Sequence, residues 1–151
     1  MNQKRLMIGN VVNSLRDLKR MKITELKENT ASLVSLDGKE TSEREYIKIE
    51  EIAITADNSD KIFKAMGFID RKVAERHVVI VDKAIQLFSP DDNNVFYSVF
   101  VSPNENNPAT WQVKIQDNNF LTVGYGTFSS VSGLQNIVKS CTNLDFTNIN
   151  L

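Results

Sequence analysis

With one cysteine, one histidine and three prolines in 151 residues, the chain is short of the residue types that most often announce chemistry. The lone Cys141 excludes an internal disulfide, and no Asn-x-Ser/Thr glycosylation acceptor occurs. No run approaches the roughly 18 apolar residues of a membrane-spanning helix. The opening Met1-Asn-Gln-Lys-Arg-Leu-Met-Ile-Gly-Asn10 has the positive flank of a signal peptide, but its apolar run stops at Ile8. A soluble protein of a reducing cytoplasm, without membrane contact, is the expectation.

The same scarcity limits catalysis. Catalytic zinc takes about three His, Cys or carboxylate ligands, which one His and one Cys do not supply. A Cys-His nucleophile would need the fold to join His77 to Cys141. The simpler reading makes His77 the start of a strand and Cys141 a small apolar residue on a buried helix face. Asp91-Asp92-Asn93-Asn94 has oxygen ligands for calcium or magnesium but neither the loop length nor the closing Glu of a cage, so it reads as a solvated hairpin turn. Glu50 and Glu51 are adjacent and would point to opposite faces of a strand, and Asp82 has no evident acid-base partner. Gly124-Tyr125-Gly126 is half a phosphate-binding loop without its third glycine, and reads as a strand end. No catalytic residue, metal ligand or cofactor is assigned.

Charge is balanced overall, with a net value of −1 and a pI near 5.9, so general attraction to nucleic acid is not expected. It is unevenly spread. Residues 1–83 hold 16 of the 18 Lys and Arg and 14 of the 19 Asp and Glu, leaving a second half that is polar but almost uncharged. Asn93, Asn94, Asn104, Asn106, Asn107, Asn118 and Asn119 cluster there in turn-like contexts.

The apolar pattern predicts one α+β domain over 1–151, with possible sub-lobes 1–55 and 56–151. In the first, Leu6–Val12 reads as a strand and Arg16–Lys22 as a loop or short helix. A strand through Met21, Ile23 and Leu26 turns at Lys27-Glu28-Asn29 into a partner through Ala31, Leu33, Val34 and Leu36, which ends at Asp37-Gly38. Tyr46 to Ile54 reads as one further extended segment, and together these suggest a small curled or SH3-like barrel. Ser59 looks like the N-cap of a short helix that Gly67 stops, with Phe68 folding back on it. Strands follow at 78–81, 85–88, 95–101, 111–115 and 120–125 as an antiparallel meander. Strict alternation in Trp111-Gln-Val-Lys-Ile115 puts Trp111, Val113 and Ile115 on one face. Val131, Leu134, Ile137, Val138 and Cys141 recur at helical spacing, an amphipathic helix able to cover that face and end at about Asn143.

Two surfaces are candidates. Tyr125, Gly126, Gln135 and Asn136 could line a ligand cleft between sheet and helix, although Gln135 and Asn136 are better explained as packing residues that satisfy backbone edges. Arg16, Lys19, Arg20 and Lys22 could meet nucleic acid, but without interleaved aromatic residues they read as a solvated face.

Three short signatures carry a resemblance: Leu6-Met-Ile-Gly-Asn10 with Val12, the Ser59–Phe68 segment closing in Met66-Gly67-Phe68, and Val131-x-x-Leu134-Gln135-Asn136-Ile137 with Thr142. In this order they resemble a set of uncharacterised small proteins of Bacteroidota, their phages and mobile elements. Met7, Ser59-Asp60, Ser132-Gly133 and Asn143 depart from that pattern. The resemblance implies an accessory protein, in the host cytoplasm if phage-encoded, and offers no catalytic residues. A binding role follows as the expectation, with a protein partner or self-association first. A nucleotide sponge acting against host immune signalling and an RNA-binding SH3-like module are the alternatives.

Overall fold

Alternating small apolar and polar side chains carry most of the chain through strands. The computed structural model describes residues 6–75 and 78–151, and over them the protein is α+β, with two five-stranded antiparallel sheets and two α-helices. His77, expected to begin a strand, lies outside the described residues.

The first sheet contains β1 (Val11–Ser14), β2 (Lys19–Leu26), β3 (Thr30–Ser35), β4 (Thr41–Glu45) and β5 (Ile49–Glu51), in the order β4-β3-β2-β1-β5. Period-two burial in β3 places Ala31, Leu33 and Ser35 inward. Leu6, Val12, Met21, Ile23, Ala31, Leu33, Tyr46 and Ile49 form a small core on that side. The expected turns hold: residues 27–29 separate β2 from β3, and the Asp37 carboxylate accepts from the Ser35 hydroxyl and the Lys39 amide. Barrel closure is not made, because β4 and β5 are the two edges of the sheet and do not pair.

Several boundaries differ from the sequence reading. The first strand begins at Val11, not Leu6, because the Asn10 side chain accepts from the Met7 amide while Asn10 N–H bonds Met7 O, folding 7–10 into a turn. Arg16–Lys22 is divided: 15–18 form the hairpin loop, and from Lys19 the chain is strand. Tyr46–Ile54 is interrupted by a 3-10 turn at Tyr46–Lys48 before β5, with the Tyr46 hydroxyl anchored on Lys27 O. The polar β4 was not anticipated.

The second sheet is the expected meander: β6 (Ile69–Glu75), β7 (Val78–Phe88), β8 (Phe96–Pro103), β9 (Trp111–Asp117) and β10 (Thr122–Phe128), ordered β10-β9-β8-β7-β6. β6 is an addition to the sequence reading, and β7 is one long strand where two were expected. Phe120 sits in the β9–β10 turn, not in the strand. Ahead of this sheet, α1 (Ser59–Ala65) starts one residue after its cap, Asn58, not at a Ser59 cap. It stops as predicted: Gly67 takes φ +98°, Phe68 N–H bonds Phe63 O at 3.0 Å, and the two rings meet edge-on at 5.4 Å.

After β10, α2 (Val131–Thr142) packs on the sheets. The Ser130 hydroxyl accepts from Gly133 N–H at 3.0 Å, and Asn143 closes the helix in the left-handed region with φ +59°. Close approach to β10 requires glycine there. A Cβ on Gly124 would collide with Cys141 Sγ, and one on Gly126 would lie 2.9 Å from Ile137 Cδ1. The larger core joins α1 and its C-cap (Ile62, Phe63, Met66), the inner sheet face (Val99, Val101, Val113, Ile115), α2 (Val131, Leu134, Val138) and Val11, Ile52 and Ile54 from the first 55 residues. The segments that follow β5 and β10 also join through backbone: Ala53 bridges Ser130, Ile54 N–H bonds Ser129 O, and Val131 N–H bonds Ile52 O.

Candidate binding face

The four residues expected to line one cleft fall on two sides of the second sheet. Gln135 and Asn136 lie where α2 meets β1. Buried Gln135 accepts from Val11 N–H through Oε1 at 2.9 Å and donates through Nε2 to Gly9 O at 3.0 Å and to Phe146 O at 2.8 Å. Asn10 Nδ2 donates to Asn136 Oδ1 at 2.7 Å. Gln135 thus satisfies backbone groups of two other segments, and the Gly9-Asn10 and Gln135-Asn136 signatures form one polar clamp. Tyr125 points away from α2 and is 73% exposed. Gly126 sits between, its side-chain position turned to Ile137 while its backbone rims the outer surface.

That outer surface is ordered by strand register. One row crosses all five strands as Ile69, Ala84, Phe100, Lys114 and Tyr125. On one side of it, Ser102 pairs with Gln112 and Gln112 with Thr127. On the other, Gln86, Ser98, Gln116 and Thr122 line up in register. A row holding Phe100, Lys114 and Tyr125 therefore runs between two hydrogen-bonding rows, the first of which leads toward Asp82 and Arg71, themselves paired in register. Beyond the second row Phe88 and Phe96 pair with ring centroids 5.5 Å apart. Two depressions flank Phe100, one of about 620 Å³ toward Gln112, Tyr125 and Thr127, the other of about 550 Å³ toward Ile69, Gln86 and Phe120.

Among the described side chains, charges on this face are few. Arg71 forms a two-pronged pair with Asp82 (Nε–Oδ1 2.9 Å, Nη2–Oδ2 2.7 Å) and lies 4.2 Å over the Phe100 ring. The Asp82 hydrogen bonds push the Arg71 pKa further above its ordinary value. Lys114 is half-buried, with its ammonium 5.5 Å from the Phe100 ring centroid, and no carboxylate among the described residues pairs with it. Sequence reading missed Phe100, Arg71 and Lys114 as a group because they come from three strands. The alternation around Trp111 already put Lys114 on the side away from the core.

The basic cluster near the N-terminus disperses. Arg16 lies in the exposed hairpin loop, Lys19 pairs with Glu40, and Arg20 and Lys22 project from the side of β2 opposite Met21 and Ile23. The loop is pinned by Asp17, which accepts from Ser14 and Ser42 and binds Arg44 at 2.8 and 3.1 Å. The Arg44 hydrogen bonds and the Ser14 hydroxyl lower the Asp17 pKa to about 2. Leu18, in this loop, takes φ +54° and is 88% exposed.

The remaining chemical candidates have structural surroundings. Glu51 accepts from Ser130 and Ser132 at the start of α2, whereas Glu50 is solvent-exposed. Asp92 accepts from Asn94 N–H within the hairpin turn, as expected of that segment. No group of three metal-ligating side chains forms among the described residues, nor among them is any helix long and apolar enough to cross a membrane.

Fold and face together define an α+β protein with one helix-covered sheet face and one open, aromatic and hydrogen-bonding face. No protein-family model, no curated protein and no solved structure matches the chain.

Proposed function

We propose that the chain is an accessory protein of the Bacteroidota phage and mobile-element kind it resembles, and that it acts without catalysis, by binding a partner protein on the outer face of its second sheet. One observation carries this reading. Ile69, Phe88 and Tyr125 stand 70%, 54% and 73% exposed on a face where, among the described residues, Gln86, Ser98, Ser102, Gln112, Gln116, Thr122 and Thr127 line the strands beside them. Large apolar side chains set among neutral hydrogen-bonding groups, with few charges, match the composition of interface centres. The first and last signatures of that resemblance meet in the clamp of Asn10, Gln135 and Asn136.

Site-specific photo-crosslinking in cells that carry the gene tests the proposal. A photoreactive residue at position 125 or 88 is expected to give a discrete adduct, and one at position 39, in the β3–β4 turn, none. Adducts equal at all three positions, or none at 125 and 88, would reject the outer face as the contact surface.

A further inference from the structure

The charge arrangement on the outer face narrows the partner's chemistry. Arg71 is already matched by Asp82, both prongs occupied. Lys114 has the Phe100 ring 5.5 Å from its ammonium and no carboxylate partner among the described residues, and register places it between Phe100 and Tyr125 on the neighbouring strands, each strand roughly 4.8 Å away. A half-buried lysine whose ammonium lies over an aromatic ring is less freely solvated than one on an open surface, which favours an incoming anion there. Among the described side chains of this face the acid is Asp82, and Arg71 holds it, so in a second copy stacked face to face that carboxylate is already taken. Nor does Lys114 alone, the unmatched cation among the described side chains of this face, suit a phosphate, which carries about 1.5 to 2 negative charges near neutral pH. One carboxylate matches one ammonium.

We infer that the docking segment is an acidic peptide stretch, with a carboxylate seated on Lys114 between Phe100 and Tyr125 and apolar neighbours filling the two depressions beside Phe100. This rests on the outer face being the contact surface and adds the chemistry of what it contacts. The flanking rows, Ser102-Gln112-Thr127 and Gln86-Ser98-Gln116, supply donors and acceptors for the backbone of a peptide laid across the strands.

Two capped, fluorescently labelled peptides of equal length, one alternating Asp and Leu and the other Lys and Leu, test the inference by fluorescence anisotropy with the full-length protein. The acidic peptide is expected to bind about tenfold more tightly, with the difference shrinking as salt rises. Lys114→Gln is expected to erase the preference while leaving the urea midpoint, followed by Trp111 fluorescence, unchanged. Equal binding of both peptides, or a preference that survives Lys114→Gln, would overturn it. Tighter binding of uridine monophosphate than of the acidic peptide, or sedimentation as a dimer that Lys114→Glu disrupts, would overturn it in favour of a small anion or a second copy. An adduct at position 125 without any acidic preference removes this inference and spares the contact surface, whereas absence of adducts at both 125 and 88 removes both.

Discussion

Replacing Gln135 with leucine keeps a similar volume on α2 and deletes three hydrogen bonds at once. Val11 N–H and Phe146 O lose buried bonds of 2.9 and 2.8 Å, and Gly9 O loses a part-buried one of 3.0 Å. A buried backbone group left unpaired costs about 1–3 kcal/mol. With two such groups buried and a third partly accessible, Gln135→Leu should lose roughly 3–5 kcal/mol out of a typical total of 5–15 kcal/mol. In urea at neutral pH, with Trp111 as the single tryptophan reporter beside Phe63, the midpoint should fall by about 2 M at unchanged slope. Exposed Gln86→Leu, the control, should stay within about 0.5 kcal/mol of the parent. Gln135→Glu adds a pH test. Its carboxyl would face two carbonyl oxygens and hold its proton in the folded state, so its folded pKa would be raised. Stability from such a group is present below the unfolded value of about 4.3 and lost as pH rises through the folded pKa. The deficit of Gln135→Glu should therefore be greatest at neutral pH and shrink toward pH 4. A Gln135→Leu midpoint close to that of the parent would refute the clamp as a determinant of stability.

Three further outcomes follow from the same geometry. Leu18→Asn should raise the unfolding midpoint, by about 0.5–1 kcal/mol in stability, because asparagine tolerates the left-handed backbone at φ +54° and the leucine side chain buries almost nothing. Gly124→Ala should destabilise by about 1–3 kcal/mol through collision with Cys141, and Cys141→Ala in the same chain should recover part of the loss in a double-mutant cycle. The folded pKa of Asp17 lies below its ordinary 3.8, at about 2, so the stability it contributes is present above 3.8 and lost as pH falls from 4 toward 2. Arg44→Gln should flatten that acid limb in pH-dependent denaturation, removing about 1 kcal/mol once screening of the partly exposed pair is allowed for.

Local periodicity made some elements legible and left others hidden. The apolar spacing of α2 and the Met66-Gly67-Phe68 stop of α1 depend on neighbours within a few residues, and both formed as read. β4, Thr-Ser-Glu-Arg-Glu, has no apolar face to read, since its stability comes from register against β3. The 7–10 turn was invisible to strand propensity because a side-chain bond from Asn10 overrides it. Tyr125 and Gln135 were grouped by their places around the last helix, but alternation turns Tyr125 outward and the helix turns Gln135 toward β1. The row from Ile69 to Tyr125 depends on the pairing of five strands, which a linear pattern does not encode.

Hydroxyl-radical footprinting of the protein in its native cells, compared with the purified chain, tests the outer-face claim most directly. The account predicts that Phe88, Phe96 and Tyr125 react less in cells, while Leu18 and Ile47, exposed on the first sheet's loops, react equally in both. Protection of Leu18 and Ile47 with Tyr125 unchanged would contradict it.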